Sequence, residues 1–223
     1  MQYSGDVTVG GATDRRDLPL LSIRKASVGA MANNTYLLTC VRTRAQLLID
    51  AADDYPRISS LIAEGGGGLD AVVTTHQHWD HHRALIQVAS STKARTMAGE
   101  ADADALPVAP DRRLRHGDTV TFGEITLDVI HLRGHTPGSV ALAYSDQSDP
   151  QGYAHIWTGD ALFPGGVGNV EKDPDRFTLL LGDVQTRIFD LYDDRTWIYP
   201  GHGSDTTLGA ERPHLQEWRE RGW

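Results

Sequence analysis

Side chains that bind metal are concentrated in one short segment of this chain. Four histidines fall within seven residues, in His76-Gln77-His78-Trp79-Asp80-His81-His82. Imidazole nitrogen and carboxylate oxygen bind divalent metal directly, whereas a packed core has little use for several neighbouring polar rings. Three further metal-capable residues, His135, Asp160 and His202, follow in glycine-bounded turns. This pattern predicts a two-metal centre of the kind that catalyses hydrolysis.

An apolar strand leads directly into the histidine-rich segment. The stretch Ala71–Thr74 is apolar on both faces, which is typical of a strand in the middle of a covered sheet. In extended geometry His76 and His78 project to the same side of the chain, so their two imidazoles can converge on one ion. Asp80 and His81 are predicted to begin the helix that follows.

The other three candidate ligands also follow predicted strands. These are His135 after a hairpin over 119–131, Asp160 after a strand over 154–158, and His202 after a strand over 197–199. Each lies in a turn rich in glycine, which favours a loop over a helix. Because the ligands come from different parts of the chain and each ends a strand, the sequence predicts that they meet at one sheet edge.

The remaining patterns indicate a mixed α/β fold. Further strands are predicted over 22–28, 36–39, 46–50 and 139–144. Helices are predicted over 58–64, over 173–191 with a proline in the first turn, and near the end of the chain around Leu215 and Trp218. We detect no internal repeat and no low-complexity tract.

Composition limits the classes of function. With 223 residues, the chain suits one α/β domain over 1–223 that buries its core without disulfides. The lone cysteine, Cys40, excludes an intrachain disulfide framework, and the start lacks the layout of a signal peptide, which favours a cytoplasmic location. No apolar run approaches the roughly 20 residues of a membrane span. The formal charge of -9 repels phosphate polymers, so neither membrane nor nucleic acid is an expected partner.

The candidate ligands form an ordered set of motifs. The motifs His76-x-His78-x-Asp80-His81, Gly134-His135-Thr136, Gly159-Asp160 and Gly201-His202 resemble the signature of the metallo-β-lactamase superfamily, complete and in order. The resemblance covers roughly residues 22–204. It implies a four-layer αβ/βα sandwich, in which two sheets pack face to face, helices lie outside and metals bind at one edge.

The resemblance also implies how the ligands are divided between two divalent ions. One ion would be held by His76, His78 and His135, the other by Asp80, His81 and His202, with Asp160 bridging them. Zinc is the expected metal, and iron and manganese are the alternatives. Asp50 matches the family's first acidic motif and is expected to orient a ligand histidine by hydrogen bonding. His82 is expected to point away from both ions.

The chemistry expected of such a centre follows from the two ions. Together they can share a water, lower its pKa to near 7 and leave hydroxide available at physiological pH. This metal-bound hydroxide would be the nucleophile that attacks a polarised carbonyl. Asp80 would mainly bind and orient, and could also take up a proton once the hydroxide is consumed. No serine or cysteine nucleophile is required.

Within the superfamily, the sequence is most similar to glyoxalase II-like thioester hydrolases, because residues 158–163 and the glycine-rich loop 165–168 resemble that branch. Only 21 residues follow His202, whereas glutathione-using glyoxalase II enzymes continue into a helical domain that holds glutathione. The resemblance is therefore to a compact bacterial member, of the kind found in actinobacteria, without that domain. The expected substrate is a small thioester of another thiol, such as mycothiol or coenzyme A, or a related ester or lactone.

Four residues near the ligands are expected to line the substrate cleft: Trp79, Asn34, Tyr36 and Lys172. Two other functions stay open on the same scaffold. An iron-dependent persulfide dioxygenase would use one iron, held by two histidines and an aspartate. A binding module would typically have lost ligands, and all seven are present here. The sequence leaves the thiol carrier, the acyl group and the oligomeric state open.

Overall fold

The computed structural model describes residues 3–66, 68–145 and 152–222. The strands are β1 Asp14–Asp17, β2 Leu21–Val28, β3 Asn33–Cys40, β4 Gln46–Ile49, β5 Ala71–Thr74, β6 Arg95–Gly99, β7 Arg112–Leu114, β8 Thr119–Phe122, β9 Ile125–His131, β10 Val140–Tyr144, β11 His155–Gly159, β12 Leu162–Phe163, β13 Gly166–Val167, β14 Trp197–Pro200 and β15 Thr206–Thr207. The helices are α1 Tyr55–Glu64, α2 Leu85–Thr92, α3 Pro174–Val184, α4 Leu208–Glu211 and α5 Leu215–Arg221. In the part of the chain that is described, no helix combines the length and apolar character that a membrane span needs.

Most strands belong to two large sheets. The first sheet contains β1 to β7 in sequence order, with antiparallel pairs as far as β4 and parallel pairs from β4 onward. The second has the order β15-β14-β11-β10-β9-β8, in which β11 and β14 are parallel and the other pairs antiparallel. The first half of the chain therefore builds one sheet and the second half the other.

The sheets pack face to face and helices cover their outer faces. Apolar residues from both sheets form the central core, including Leu38 and Val73 from the first and Leu142 and Trp157 from the second. A second apolar cluster packs α1 and α2 on the first sheet, and a third packs α3 and α5 on the second. This is the αβ/βα sandwich that the resemblance predicted, and the prediction is confirmed.

Two expected strand features are also present. All four residues of β5 are buried, as predicted for a strand covered on both faces. β8 and β9 form the predicted antiparallel hairpin, in which Phe122 pairs with Ile125 across the turn. β5 therefore delivers the chain to His76 from inside the first sheet, and its position is fixed by packing on both sides.

The turn that carries Asp80 and His81 differs from the prediction. It is a separate 3-10 turn, Trp79–His81, and α2 begins only later in the chain. The amide of Ala84 donates to the carbonyl of Ala51 at 3.0 Å, which ties the intervening backbone to the loop after β4 and keeps it out of helical geometry. Asp80 and His81 are therefore held in a turn and not in the first turn of a helix.

The predicted helix over 173–191 is shorter than expected. α3 ends at Val184 and is followed by a π-helical turn, Gln185–Phe189. The wider turn shifts later residues off the α-helical spacing. Ile188 is still buried, but Leu191 is 71% exposed and does not belong to the apolar face on which it was placed.

A buried ion pair ties the start of the chain to the loop after β14. The charged atoms of Lys25 and Asp205 lie 2.7 Å apart, and their side chains are 0% and 1% exposed. The Lys25 ammonium also donates to the carbonyls of Gly5 and Gly203, at 2.5 and 2.8 Å. An ammonium has three N–H donors, and here each has an acceptor. The pair therefore fixes the loop that begins at His202.

We expect Lys25→Met to lower the free energy of unfolding by about 3–5 kcal/mol, because it leaves the Asp205 carboxylate buried without a counter-charge. Urea denaturation followed by fluorescence measures this change. The double variant Lys25→Met with Asp205→Asn should recover part of the loss, since it removes the orphaned charge. If the double variant is at least as unstable as Lys25→Met, the ion-pair explanation is wrong.

Candidate metal centre

The candidate ligands converge where strands of both sheets end. β5 leads to His76, the connection between β9 and β10 carries His135, β11 leads to Asp160, and β14 leads to His202. Backbone hydrogen bonds join these ends, including one from the Gly201 amide to the Gly159 carbonyl at 2.9 Å. The site is therefore assembled from separate parts of the chain at one edge of the sandwich.

Glycine is needed at position 201 because the backbone passes close to the site. A Cβ atom on Gly201 would lie 2.2 Å from Oδ1 of Asp160 and 2.7 Å from Cε1 of His81. Both distances are far below a normal van der Waals contact. The glycine before His202 thus lets the last ligand loop approach the other ligands.

The first group of ligands comprises His76, His78 and His135. Nε2 of His76 lies 3.1 Å from Nδ1 of His78 and 3.3 Å from Nε2 of His135. Nδ1 of His76 contacts Oγ1 of Thr75 at 3.1 Å, and Nδ1 of His135 donates to the carbonyl of Asn169 at 2.7 Å. His76 and His135 therefore use one nitrogen to fix the ring and direct the other toward the centre of the group.

The second group comprises Asp80, His81 and His202. Oδ2 of Asp80 lies 3.6 Å from Nε2 of His81 and 3.4 Å from Nε2 of His202. The Asn33 amide donates to the same Oδ2 at 2.9 Å, and its nitrogen lies 3.3 Å from Nε2 of His202. Asn33 thereby holds the carboxylate of Asp80 in the orientation that faces both histidines.

Asp160 lies between the two groups. Its Oδ1 is 3.4 Å from Nε2 of His81, and its Oδ2 is 3.6 Å from Nε2 of His202 and 3.8 Å from Nε2 of His135. Within the described residues, the buried atoms His81 Nε2 and Asp160 Oδ1 have no hydrogen-bond partner. A carboxylate in this position can serve two ions at once, as the resemblance implied.

Asp50 contacts the site from its buried side. Its Oδ2 accepts hydrogen bonds from Nδ1 of His81 at 2.9 Å and from the Thr75 hydroxyl at 2.8 Å, and its Oδ1 accepts from the Thr75 amide at 2.7 Å. The same threonine hydroxyl contacts Nδ1 of His76 at 3.1 Å. One carboxylate therefore orients His81 directly and His76 through Thr75, which is the kind of role expected of Asp50 from the sequence.

Burial and neighbouring charges shift the pKa values of the candidate ligands in different directions. Burial lowers the pKa of His76 well below its usual value, and the neighbouring histidines lower it further. Burial also acts to lower the pKa of His81, but the carboxylates of Asp50 and Asp160 outweigh it and raise the pKa to about 10. Burial acts to raise the pKa of Asp160, yet His81, His202 and His135 together outweigh it and lower the pKa.

These contacts fit divalent metal ions. With both Nδ1 atoms engaged, the Nε2 lone pairs of His76 and His135 face each other at 3.3 Å, which repels unless a cation lies between them. Two nitrogens that bind one tetrahedral zinc at about 2.0–2.1 Å are about 3.4 Å apart. The nitrogen and carboxylate donors in the two groups also suit zinc, iron or manganese. The residues present therefore fit a pair of metal ions.

Two of the expected cleft residues serve another purpose. Asn34 and Tyr36 are only 1% and 2% exposed, so the expectation that they line a cleft was wrong. The amide of Asn34 donates to the carbonyls of Pro200 and Gly203, both at 2.9 Å, and the hydroxyl of Tyr36 donates to Pro200 at 2.7 Å. Both side chains point into the protein and hold the backbone on either side of His202.

The other two expected cleft residues are accessible. Trp79 is 55% exposed, and the guanidinium of Arg83 lies 5.0 Å from its ring centre. Lys172 lines a cavity of about 580 Å³ together with residues 167–170. The exposed indole does not pack under the ligand loop. Both side chains therefore stay candidates for contact with a substrate.

Two residues outside the predicted set of ligand and cleft residues contact the ligands or their loops. Asn33 is the first residue of β3 and holds Asp80, as described above. Arg176 of α3 donates to the carbonyls of Gly134 and His135, at 2.8 and 2.5 Å. In the sequence, Asn33 is marked only by its position just before the predicted strand over 36–39. Nothing in the sequence shows that Arg176 reaches the His135 loop.

His82 lies outside both groups, and we expect His82→Ala to keep both metal ions. Its Nε2 lies 3.0 Å from the carbonyl oxygen of Gln77, and it contacts no candidate ligand atom in either group. The measurement is metal content per chain by elemental analysis, with His81→Ala as the comparison that removes a donor. Loss of one ion from His82→Ala, at normal stability, would contradict this assignment.

Comparison with known proteins gives a match over most of the chain. Residues 28–202 match the family model of the Metallo-beta-lactamase superfamily. A hydroxyacylglutathione hydrolase from Fuscovulum blasticum is 35% identical over 138 residues, which are 62% of this chain and 51% of the relative. The mitochondrial persulfide dioxygenase ETHE1 of Homo sapiens is 33% identical over 175 residues, which are 75% of this chain and 63% of the relative. The chain thus spans about half the length of the first relative.

Solved structures show the same fold. The crystal structure of ETHE1 from Myxococcus xanthus has a TM-score of 0.75 and 27% identity, and the match covers 89% of this chain and 84% of that one. The superfamily model begins at the last residue of β2 and ends at His202, so it includes every candidate ligand. This chain belongs to the metallo-beta-lactamase superfamily.

Proposed function

We propose that the chain is a dinuclear metal-dependent hydrolase that cleaves thioesters or related esters, as glyoxalase II-like enzymes do, with zinc as its metal. The relative named hydroxyacylglutathione hydrolase supports this substrate class. The expected substrate is a small molecule whose scissile carbonyl reaches the ligand cluster.

The observation that carries this proposal is the pair of ligand groups joined by one carboxylate. Each group supplies three donor atoms that lie within 4.8 Å of one another. Asp160 reaches a histidine of the first group at 3.8 Å and both histidines of the second at 3.4 and 3.6 Å. A single ion at the first group would leave the second group, with the unpaired Nε2 of the buried His81, without a function.

Bound at these groups, two divalent ions would lower the pKa of a water toward 7 and polarise a carbonyl, which are the two requirements of hydrolysis. The side chains would hold the ions and accept the proton. His76, His78 and His135 would hold one ion, and Asp80, His81 and His202 the other. Asp80, which accepts a hydrogen bond from Asn33, would also accept a proton during turnover.

A cavity beside the first group offers room for the substrate. It has a volume of about 600 Å³ and is lined by His78 and His135 together with Arg133, Arg176 and Leu179. Volumes of this size are typical of small-molecule sites. The second cavity, at Lys172, has about 580 Å³. A thioester has an acyl part and a thiol part, and the two cavities are the candidate sites for these two parts.

An iron-dependent persulfide dioxygenase is the second candidate function. The similarity to two proteins named ETHE1 favours it, at 33% and 27% identity. Such an enzyme would need one iron held by two histidines and an aspartate. The complete second group, with Asn33 and Asp50 arranged around it, supports two ions over one.

The test measures metal content and activity on the same preparation. Elemental analysis should find about two zinc ions per chain. Thioesters of glutathione, coenzyme A and mycothiol are then assayed for released thiol, before and after chelator treatment and after zinc is restored. We expect at least one thioester to be cleaved in a zinc-dependent manner. One iron per chain, with oxygen consumed on a persulfide and no thioester cleaved, would instead establish the dioxygenase.

A further inference from the structure

We propose that Asp102 is a positioning residue that locks together the two loops carrying the first group of ligands, His76 and His78 on one and His135 on the other. This inference rests on the proposed metal centre, because it concerns how that centre is held. Asp102 itself touches no candidate ligand atom and is not part of either donor group.

Asp102 is a buried carboxylate in the loop after β6. Its side chain is 0% exposed, and its own amide donates to the carbonyl of Gly99 at 3.1 Å. Burial of a charged carboxylate is costly unless its oxygens accept hydrogen bonds. The partners of the two oxygens therefore explain why the charge is tolerated at this position.

The three groups that donate hydrogen bonds to the Asp102 carboxylate all belong to the ligand loops. Oδ2 accepts from the amide of Gln77 at 3.0 Å and from the Thr136 hydroxyl at 2.6 Å. Oδ1 accepts from the amide of Gly138 at 2.6 Å. Gln77 is the residue between the two histidines of the first loop, and Thr136 directly follows His135. A single carboxylate thus holds the backbone beside all three ligands of the first group.

The close packing around Asp102 leaves the two loops little freedom. A Cβ on Gly138 would lie 2.3 Å from the Asp102 amide nitrogen, and one on Gly99 would lie 1.8 Å from the Gly138 carbonyl oxygen. The Thr136 hydroxyl also contacts Oγ of Ser139 at 2.6 Å, which fixes the threonine rotamer. The hydrogen bonds of Asp102 are therefore made between elements that already pack backbone to backbone.

The second group has its own supports. His81 is held by Asp50, and Asp80 by Asn33. The loop after His202 is held by Lys25 and Asn34. Because Asp102 bonds to none of these residues, its loss should weaken the first group and largely spare the second. A residue that only stabilised the fold would weaken both groups alike.

The test compares Asp102→Asn with a matched control. Asn has the same shape but replaces one acceptor oxygen with a donor, which opposes an N–H or O–H donor of a ligand loop. Glu211→Gln is the control, because Glu211 is 5% exposed and also accepts from a backbone amide, Gly165 at 2.8 Å, and a threonine hydroxyl, Thr206 at 2.6 Å. It contacts no candidate ligand.

Zinc affinity is measured separately at each group by competition with a chromophoric chelator. A His202→Ala background reports the first group and a His78→Ala background reports the second. We expect Asp102→Asn to weaken zinc binding about 10–100-fold at the first group, as is typical when a residue supporting a ligand is removed. Binding at the second group should change less than about threefold, and Glu211→Gln should change neither.

Thr136→Val provides a second variant in case Asp102→Asn does not fold. It removes one donor to Asp102 and should weaken the first group by a smaller factor with the same selectivity. Equal weakening of both groups, or no weakening of the first, would overturn the inference. If the unmodified chain binds two zinc ions but cleaves no thioester, the proposed function fails while this inference stands. If it binds no metal at either group, both fail.

Discussion

Asp160→Ala should reduce bound metal and turnover together, with turnover falling by more than about 10³-fold, or about 4 kcal/mol in activation free energy. The reason is the position of the carboxylate, which lies 3.4 to 3.8 Å from histidine nitrogens of both ligand groups. Without it, both groups lack their shared donor, and the ions that they would hold could no longer activate a water.

Elemental analysis and steady-state kinetics on the same sample measure both effects. Asp160→Asn is the matched variant, because it keeps one oxygen donor and the side-chain volume but loses the negative charge. We expect it to retain more metal than Asp160→Ala and still to be strongly impaired. If Asp160→Ala lowers thermal stability but keeps two ions per chain, Asp160 has a role in the fold alone.

Asp50→Asn should lower metal affinity and turnover by about 10–100-fold although the variant folds. The carboxylate accepts from Nδ1 of His81 at 2.9 Å, so with a metal ion bound the one remaining ring proton would be on Nδ1 and the Nε2 lone pair would be free for the ion. An amide NH₂ in its place can donate to Nδ1 instead. The histidine proton then moves to Nε2, which can no longer bind metal.

Asp50→Ala distinguishes this tautomer effect from simple loss of packing. It leaves the amide and hydroxyl of Thr75 and Nδ1 of His81 without their acceptor, so it should also reduce the free energy of unfolding by about 1–3 kcal/mol per buried unpaired group. Metal titration and urea denaturation on both variants separate the two effects. Full metal affinity in Asp50→Asn would show that Asp50 does not set the state of His81.

The family resemblance implied the layered fold, and the positions of the candidate ligands followed from local signals in the sequence. The ligand segments come after short apolar strands, those of His135, Asp160 and His202 lie in glycine-rich turns, and β5 is buried on both faces as its composition predicted. The edge strands had no such signal. β1 has four residues, all aspartate or arginine, and β7 has three, two of them arginine, so their charged composition resembles that of loops.

The wrong assignment of Asn34 to the substrate cleft has a simple geometric origin. Neighbouring residues of a strand point to opposite faces, so an assignment that is one residue off selects the wrong face. The prediction began the strand at Tyr36 and assigned Asn34 to the cleft, whereas β3 begins at Asn33. Asn33 reaches Asp80 at 2.9 Å, while Asn34 bonds to the carbonyl of Pro200. The site residue was one position away from the one expected.

The supports of the ligand loops depend on contacts between distant parts of the chain. Asp102 lies 34 positions before Thr136, and Arg176 lies 41 positions after His135. Neither has a motif, because the partner atoms are mostly backbone amides and carbonyls, which every residue provides. Such positioning residues become visible only when the loops are seen together.

Because each half of the chain builds one sheet, metal ions at the two ligand groups would connect the two sheets. Each ligand group takes two donors from the segment after β5, in the first half, and one from the second half, His135 or His202. Each ion would therefore act as a cross-link between the sheets. Loss of metal should then lower the temperature at which the protein unfolds, since ions that bind only the folded state stabilise it.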